Sequence, residues 1–248
     1  ILDNGTVNAN DYTYFYGQLK ASNESSIESK GQVIIGKSDK YVDASFDNSK
    51  WISNGKSYVY GNMSISNKSA ITFSVNATIY GDFSAKENST LNTAAEQTKI
   101  GTSSAYKSAK FNNSTWNADG GCYVYGELTL ENDSNIKQKN TFHAYSDVHM
   151  DKSEWTSSTA NGSSCKTMID GKLTAENQST LTTVGQLTVG LSDKYTSAVF
   201  DNSVWNDQKS GYVYGTMTLK NKASLNQTGS FRVYDDMTVK DSTWKNAK

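Results

Sequence analysis

Gly171-Lys-Leu-Thr-Ala-Glu-Asn-Gln-Ser-Thr-Leu181 carries the unit from which this chain is built. Gly opens a strand, apolar residues alternate with Thr, Asn turns a corner, Ser follows, and a large apolar residue anchors the next strand. The frame returns as Gly126-Glu-Leu-Thr-Leu-Glu-Asn-Asp-Ser-Asn-Ile136 and as Gly215-Thr-Met-Thr-Leu-Lys-Asn-Lys-Ala-Ser-Leu225. Alternation with period two marks a half-buried strand with β-branched residues outward. The corner Asn supplies a backbone that tolerates αL, or a side-chain hydrogen bond. Looser copies give eleven anchors in all: Ile27, Trp51, Ile71, Leu91, Trp116, Ile136, Trp155, Leu181, Trp205, Leu225 and Trp244. Asn or Asp stands three or four before each, and Ser two before ten of them, Ala223 being the exception. Self-similarity at a period of about 20–25 residues is the mark of a solenoid. The expected fold is all-β, a parallel β-helix of about eleven coils forming a single domain over residues 1–248.

A longer period overlies the short one. Gly31-Gln-Val-Ile-Ile-Gly-Lys-Ser-Asp-Lys-Tyr41 leads to Phe46-Asp-Asn-Ser-Lys-Trp51, and Gly185-Gln-Leu-Thr-Val-Gly-Leu-Ser-Asp-Lys-Tyr195 leads to Phe200-Asp-Asn-Ser-Val-Trp205. This predicts three super-repeats of about 65 residues, at 17–80, 81–146 and 171–235, with an inserted coil at 147–170 and a partial last coil at 236–248. Each super-repeat holds a tyrosine-rich strand: Tyr58-Val-Tyr60, Tyr123-Val-Tyr125, Tyr212-Val-Tyr214. Both tyrosines of a strand share one face and the valine takes the other. Outward, Tyr58, Tyr60, Tyr123, Tyr125, Tyr212 and Tyr214 make amphipathic patches suited to glycans or a neighbouring protein; inward, they are core. The five tryptophans read as core or corner packing.

Composition narrows the class. Hydrophobic content is 35%, thin for a globular core but enough for coils with a narrow apolar interior. Fifteen Tyr, eight Phe, five Trp and a net charge of −1 argue against disorder. The absence of proline suits strands that donate every backbone N–H. One arginine against 23 lysines, with no basic excess, argues against nucleic acid as a partner. No apolar run approaches the ~20 residues of a membrane span. The chain starts Ile-Leu-Asp, as a processed form or a fragment would.

Chemistry-bearing residues are sparse. The carboxylates are scattered through repeat positions, and Asp235-Asp236 near Arg232 reads as a solvated corner. His143 and His149 share a coil but lack the Cys or carboxylate partners of a metal set. Nucleophile elbow, P-loop and dinucleotide fingerprint are missing. No catalytic residue, cofactor or metal is expected. Cys122 and Cys165 lie about two coils apart, so regular coils set them ~9–10 Å apart in height, beyond the ~7 Å a disulfide allows. An intrachain bond through distorting loops, an interchain bond and free thiols all stay open, with a bridge favoured in an exported chain. Twelve Asn-X-Ser/Thr sequons occur, several inside the repeat signature; Asn4, Asn23 and Asn161 are the candidate glycan acceptors.

The pattern spanning Gly126–Ile136, Gly171–Leu181 and Gly215–Leu225 resembles the repeats of secreted parallel β-helix surface proteins: autotransporter passenger domains, filamentous adhesins and repeat-built surface layers. It is also similar to sheath proteins of filamentous archaea. The resemblance is architectural and brings no catalytic residues with it. It implies an extracellular, cell-surface location and a non-catalytic structural protein that polymerises with copies of itself into a sheath, layer or filament. Trp244 completes a coil near the end of the sequence with no cap in view, which fits end-to-end stacking. An adhesin binding glycans or host protein is the alternative, and a carbohydrate-active β-helix enzyme the third reading.

Overall fold

The computed structural model describes residues 1–94, 96–158 and 165–247. Among these the chain is all-β, without helices, and forms a parallel β-solenoid of about twelve coils. It divides into two compact units, Ile1–Gly126 and Glu127–Lys248. In each unit every third strand in sequence joins the same sheet, so that three parallel sheets, A, B and C, form the three sides of a coil.

One coil more is present than the eleven anchors indicated. Leu2–Asp3, Thr6–Ala9 and Thr13–Phe15 are the first strands of sheets A, B and C. Its anchor is Val7, paired with Ile27 in sheet B. The signature was hidden because Gly5 stands at the serine position and the anchor is a smaller residue.

Anchors stack inside each unit. Register places Ile27 beside Trp51, Trp51 beside Ile71, Ile71 beside Leu91 and Leu91 beside Trp116. Farther along, Ile136 lies beside Trp155, Trp155 beside Leu181, Leu181 beside Trp205 and Trp205 beside Leu225. All of these are buried, whereas Trp244 is 47% exposed.

The corner between sheets A and B comes in two forms, and the form decides the anchor. A single positive-φ residue (Asn48, Asn113, Lys152, Asn202, Asp241) stands three before each tryptophan. Two consecutive positive-φ residues, as at Asn23-Glu24 and Asn177-Gln178, precede each Ile or Leu anchor. Before three of the five tryptophans the shorter corner brings a Phe, the last inward residue of the sheet A strand, face to face with the indole, while Met150 and Val239 hold that position before Trp155 and Trp244. Phe46–Trp51, Phe111–Trp116 and Phe200–Trp205 stack at 5.5, 5.4 and 5.5 Å between ring centroids. With the longer corner that inward residue is aliphatic: Ala21, Ile65, Ala85, Leu130, Ala175 or Leu219.

Each indole N–H is satisfied by the coil before it. Trp51, Trp116, Trp155, Trp205 and Trp244 donate to Ser29, Thr93, Gln138, Thr183 and Gln227, at 3.4, 3.0, 2.9, 3.0 and 3.2 Å. All five acceptors sit two residues after an Ile or Leu anchor. Where the next anchor is Leu91, which has no N–H to place, that position holds the apolar Phe73. An apolar side chain there leaves no buried polar group short of a partner.

The serine before each anchor is also explained. Ser179 Oγ donates to the carbonyl of Glu176 at 2.7 Å and accepts the backbone N–H of Ser153 at 3.2 Å, tying its own corner to the coil before. Ser25 and Ser69 do the same for Gly5 and Ser49, and Ser203 for Ser179. Ala223 breaks this ladder: it cannot accept the backbone N–H of Ser203. Restoring the hydroxyl as Ala223→Ser is expected to raise stability by about 1 kcal/mol, measured as an upward shift of the chemical denaturation midpoint with unchanged slope.

Candidate functional site

The outer side of sheet C carries the tyrosines. In the strands Ser57–Val59, Gly121–Val124 and Ser210–Val213 the valine points inward and is buried, while Tyr58, Tyr123 and Tyr212 face outward and are half-buried. Tyr60, Tyr125 and Tyr214 come just after these strands, at the corner leading to sheet A. The Tyr-Val-Tyr motif is therefore a strand position plus a corner position, which gives each unit an outer column and a corner column.

In residues 1–126 the corner column includes Tyr16, Tyr60, Tyr80 and Tyr125. Tyr60 and Tyr80 stack at 4.4 Å with ring planes 3° apart. Burial, with the hydrogen bond to Tyr60 second, pushes the Tyr80 phenol up to about 12. Two short hairpins leave this corner, closed by bridges Lys37↔Lys40 and Thr102↔Ala105. They lay Tyr41 against Tyr60 at 6.2 Å and Tyr106 against Tyr125 at 6.3 Å. Tyr12, Tyr14, Tyr16, Tyr41 and Tyr106 are 65, 50, 68, 54 and 59% exposed.

In residues 127–248 the column includes Tyr145, Tyr214 and Tyr234, with a third hairpin closed by Leu191↔Lys194. Tyr214 and Tyr234 stack at 4.4 Å. The Arg232 guanidinium, then Tyr214, hydrogen-bond to Tyr234 and hold its phenol below the usual tyrosine range. His143 Nε2 lies 2.8 Å from Asp170 Oδ1, and the His143 ring stacks on Tyr145 at 3.7 Å. His149 pairs with Glu176 at 3.3 Å on sheet A. Sequence reading left both histidines without a carboxylate; each partner lies 27 residues on, one coil away, a distance no local motif spans. Among the described residues no helix is long and apolar enough to cross a membrane.

Cys122 and Cys165 are free thiols, each buried within its own unit, where sequence reasoning favoured a bridge. Cys122 packs against Thr93 at 3.3 Å, and Cys165 donates to the carbonyl of Asn140 at 3.0 Å. Burial pushes them up to about 12 and about 11, which leaves both protonated and unreactive at neutral pH. Asn4 is exposed with φ 46°. Asn23 is exposed as well, but its amide is held by Asp3 at 2.6 Å. The same Asn-to-Asp bond joins Asn177 to Asp151 and Asn221 to Asp201, each at 2.7 Å. Asn161 lies outside the described residues.

One buried acid stands out. Asp207 occupies the acceptor position two after Trp205, but the next anchor is Leu225, so no indole reaches it. Its Oδ1 takes Thr183 Oγ1 at 3.3 Å and the Lys209 amide at 3.4 Å, while Oδ2 has no partner. Burial pushes its carboxyl up to about 6. Between pH ~4 and ~6 the folded chain keeps a proton that the unfolded chain has released, so stability falls as pH rises through that window. Asp207→Asn is expected to stabilise by roughly 2–3 kcal/mol at pH 8 and to change little at pH 4. Denaturation midpoints of both proteins at the two pH values check this.

The chain matches no protein-family model, no curated protein and no solved structure.

Proposed function

We propose that this chain is a non-catalytic structural protein of the cell exterior that associates with copies of itself into a sheath, layer or filament. The observation that supports the reading is the aromatic side of the first unit. Five tyrosines there are exposed by half or more, on a scaffold of parallel strands. Monomeric proteins rarely leave such amphipathic surface uncovered, and tyrosine is favoured at protein contacts. Self-association through this face extends a rigid coil sideways without needing any reaction. Negative-stain electron microscopy and sedimentation across concentration and ionic strength test it. Assemblies that dissolve in a Tyr14→Ser, Tyr16→Ser, Tyr41→Ser triple variant support the proposal, and a single monomeric species under every condition refutes it.

A second reading, an adhesin-like module that binds glycans, draws on the Tyr60–Tyr80 pair. The two rings lie parallel and stacked, and together they present a pair of hydroxyl-bearing edges that can hydrogen-bond to a sugar. Glycan-array binding that survives Tyr60→Ala and Tyr80→Ala together would remove that reading.

A further inference from the structure

The corner column of the second unit has a gap. Where neighbouring coils carry Tyr145, Tyr214 and Tyr234, two successive coils carry Asp170 and Gly190. The missing rings leave a cleft of about 210 Å³ on the outer side of sheet C. Its floor is Met168 and Thr188, neighbours in register. Leu191, 38% exposed at the start of the hairpin, forms one wall, and the His143–Asp170 pair forms another.

We infer that this cleft binds one pyranose unit of a neutral glycan. The side chains of His143 and Asp170 are 15% and 17% exposed and fix each other, so the carboxylate and imidazole are held in place before a ligand arrives. Gln186 Nε2 donates to Thr188 Oγ1 at 3.2 Å, which orients an amide and a hydroxyl on the same floor. Carboxylate, imidazole, amide and hydroxyl together offer both donors and acceptors, as sugar hydroxyls require. Met168 and Leu191 supply the apolar surface that the C–H face of a ring covers, the mixture expected of a small-molecule site. Lys166 and Asp170 bring one fixed charge of each sign to the lining, which gives an ionic ligand of either sign no advantage over a neutral one. Its volume is below the ~300 Å³ at which drug-sized pockets begin, which limits the occupant to a single ring. The inference uses neither residue of the Tyr60–Tyr80 pair and stands or falls apart from it.

The test is methyl NMR of the full chain labelled at methionine, titrated with methyl glucoside, methyl galactoside, methyl N-acetylglucosaminide and, as the charged counterpart, methyl glucuronide. The Met168 methyl signal is expected to shift and saturate with at least one neutral pyranoside. Leu191→Ala and Gln186→Ala should each weaken that binding about tenfold, and Tyr60→Ala should leave it unchanged. The methyl spectrum of each variant reports whether its fold is intact. A Met168 signal that moves with no neutral pyranoside overturns the proposal. Tighter binding of the glucuronide, or unchanged affinity in both cleft variants, overturns it as well.

Discussion

Trp205→Ala is expected to cost the second unit about 4 kcal/mol. The side chain is fully buried, its ring stacks on Phe200 at 5.5 Å, and Phe231 of the following coil meets it edge-on at 5.2 Å. Removing the indole empties the space between these rings, and strands fixed in ladders on both sides leave little room for collapse. It also strips Thr183 of its donor. Trp205→Leu separates these contributions. It refills part of the volume, but it puts a branched aliphatic chain behind a one-residue corner that elsewhere precedes tryptophan or, in the first coil, Val7. The leucine variant should therefore lose roughly half as much as alanine. Hydrogen exchange is the measurement of choice, because repeat arrays can open by segments and exchange locates the loss along the chain. Loss of protection should concentrate in Val204–Asp207 and its sheet B neighbours. Even loss over the whole unit, with no centre at this coil, would contradict the account.

The tryptophan code shows how far the sequence could be read. Spacing alone exposed the anchors, the serine and the corner asparagine, because each is a local consequence of turning one corner. The interval of three or four residues from asparagine to anchor was visible too. Its meaning was not, since only backbone torsions distinguish a one-residue from a two-residue αL corner. The acceptor two residues after every Ile or Leu anchor except Ile71 was equally plain in the letters. It acquires a role only once the next coil is stacked on top of it, as Ser29 does beneath Trp51 and Thr93 beneath Trp116. The first coil escaped because Gly5 and Val7 keep its geometry without its usual residues. The cleft was not legible at all: Asp170 and Gly190 look like ordinary corner residues until the tyrosines on either side of them are aligned.

Gly215→Ala is expected to be nearly as severe, for a different reason. Gly215 begins the sheet A strand Gly215–Lys220, is paired in register with Thr196, and has φ +131°, in the region that L side chains avoid. A Cβ there would lie 1.8 Å from the carbonyl oxygen of Thr196, and that oxygen belongs to backbone that cannot swing aside. The two strands would have to part at the point where the ladder begins, against the bond from Thr196 N–H to the Tyr214 carbonyl at 2.9 Å. Strain and lost pairing together should cost about 3 kcal/mol or more. Gly17→Ala is the control. It makes the same chemical change at a corner where an added Cβ meets nothing within 4 Å, and stability there should move by no more than about 0.5 kcal/mol. Circular-dichroism melts of the two variants side by side decide the matter. Equal shifts would mean that glycine serves this chain only through backbone entropy. A large shift at Gly215 alone would mean that the close approach of neighbouring coils is what requires it.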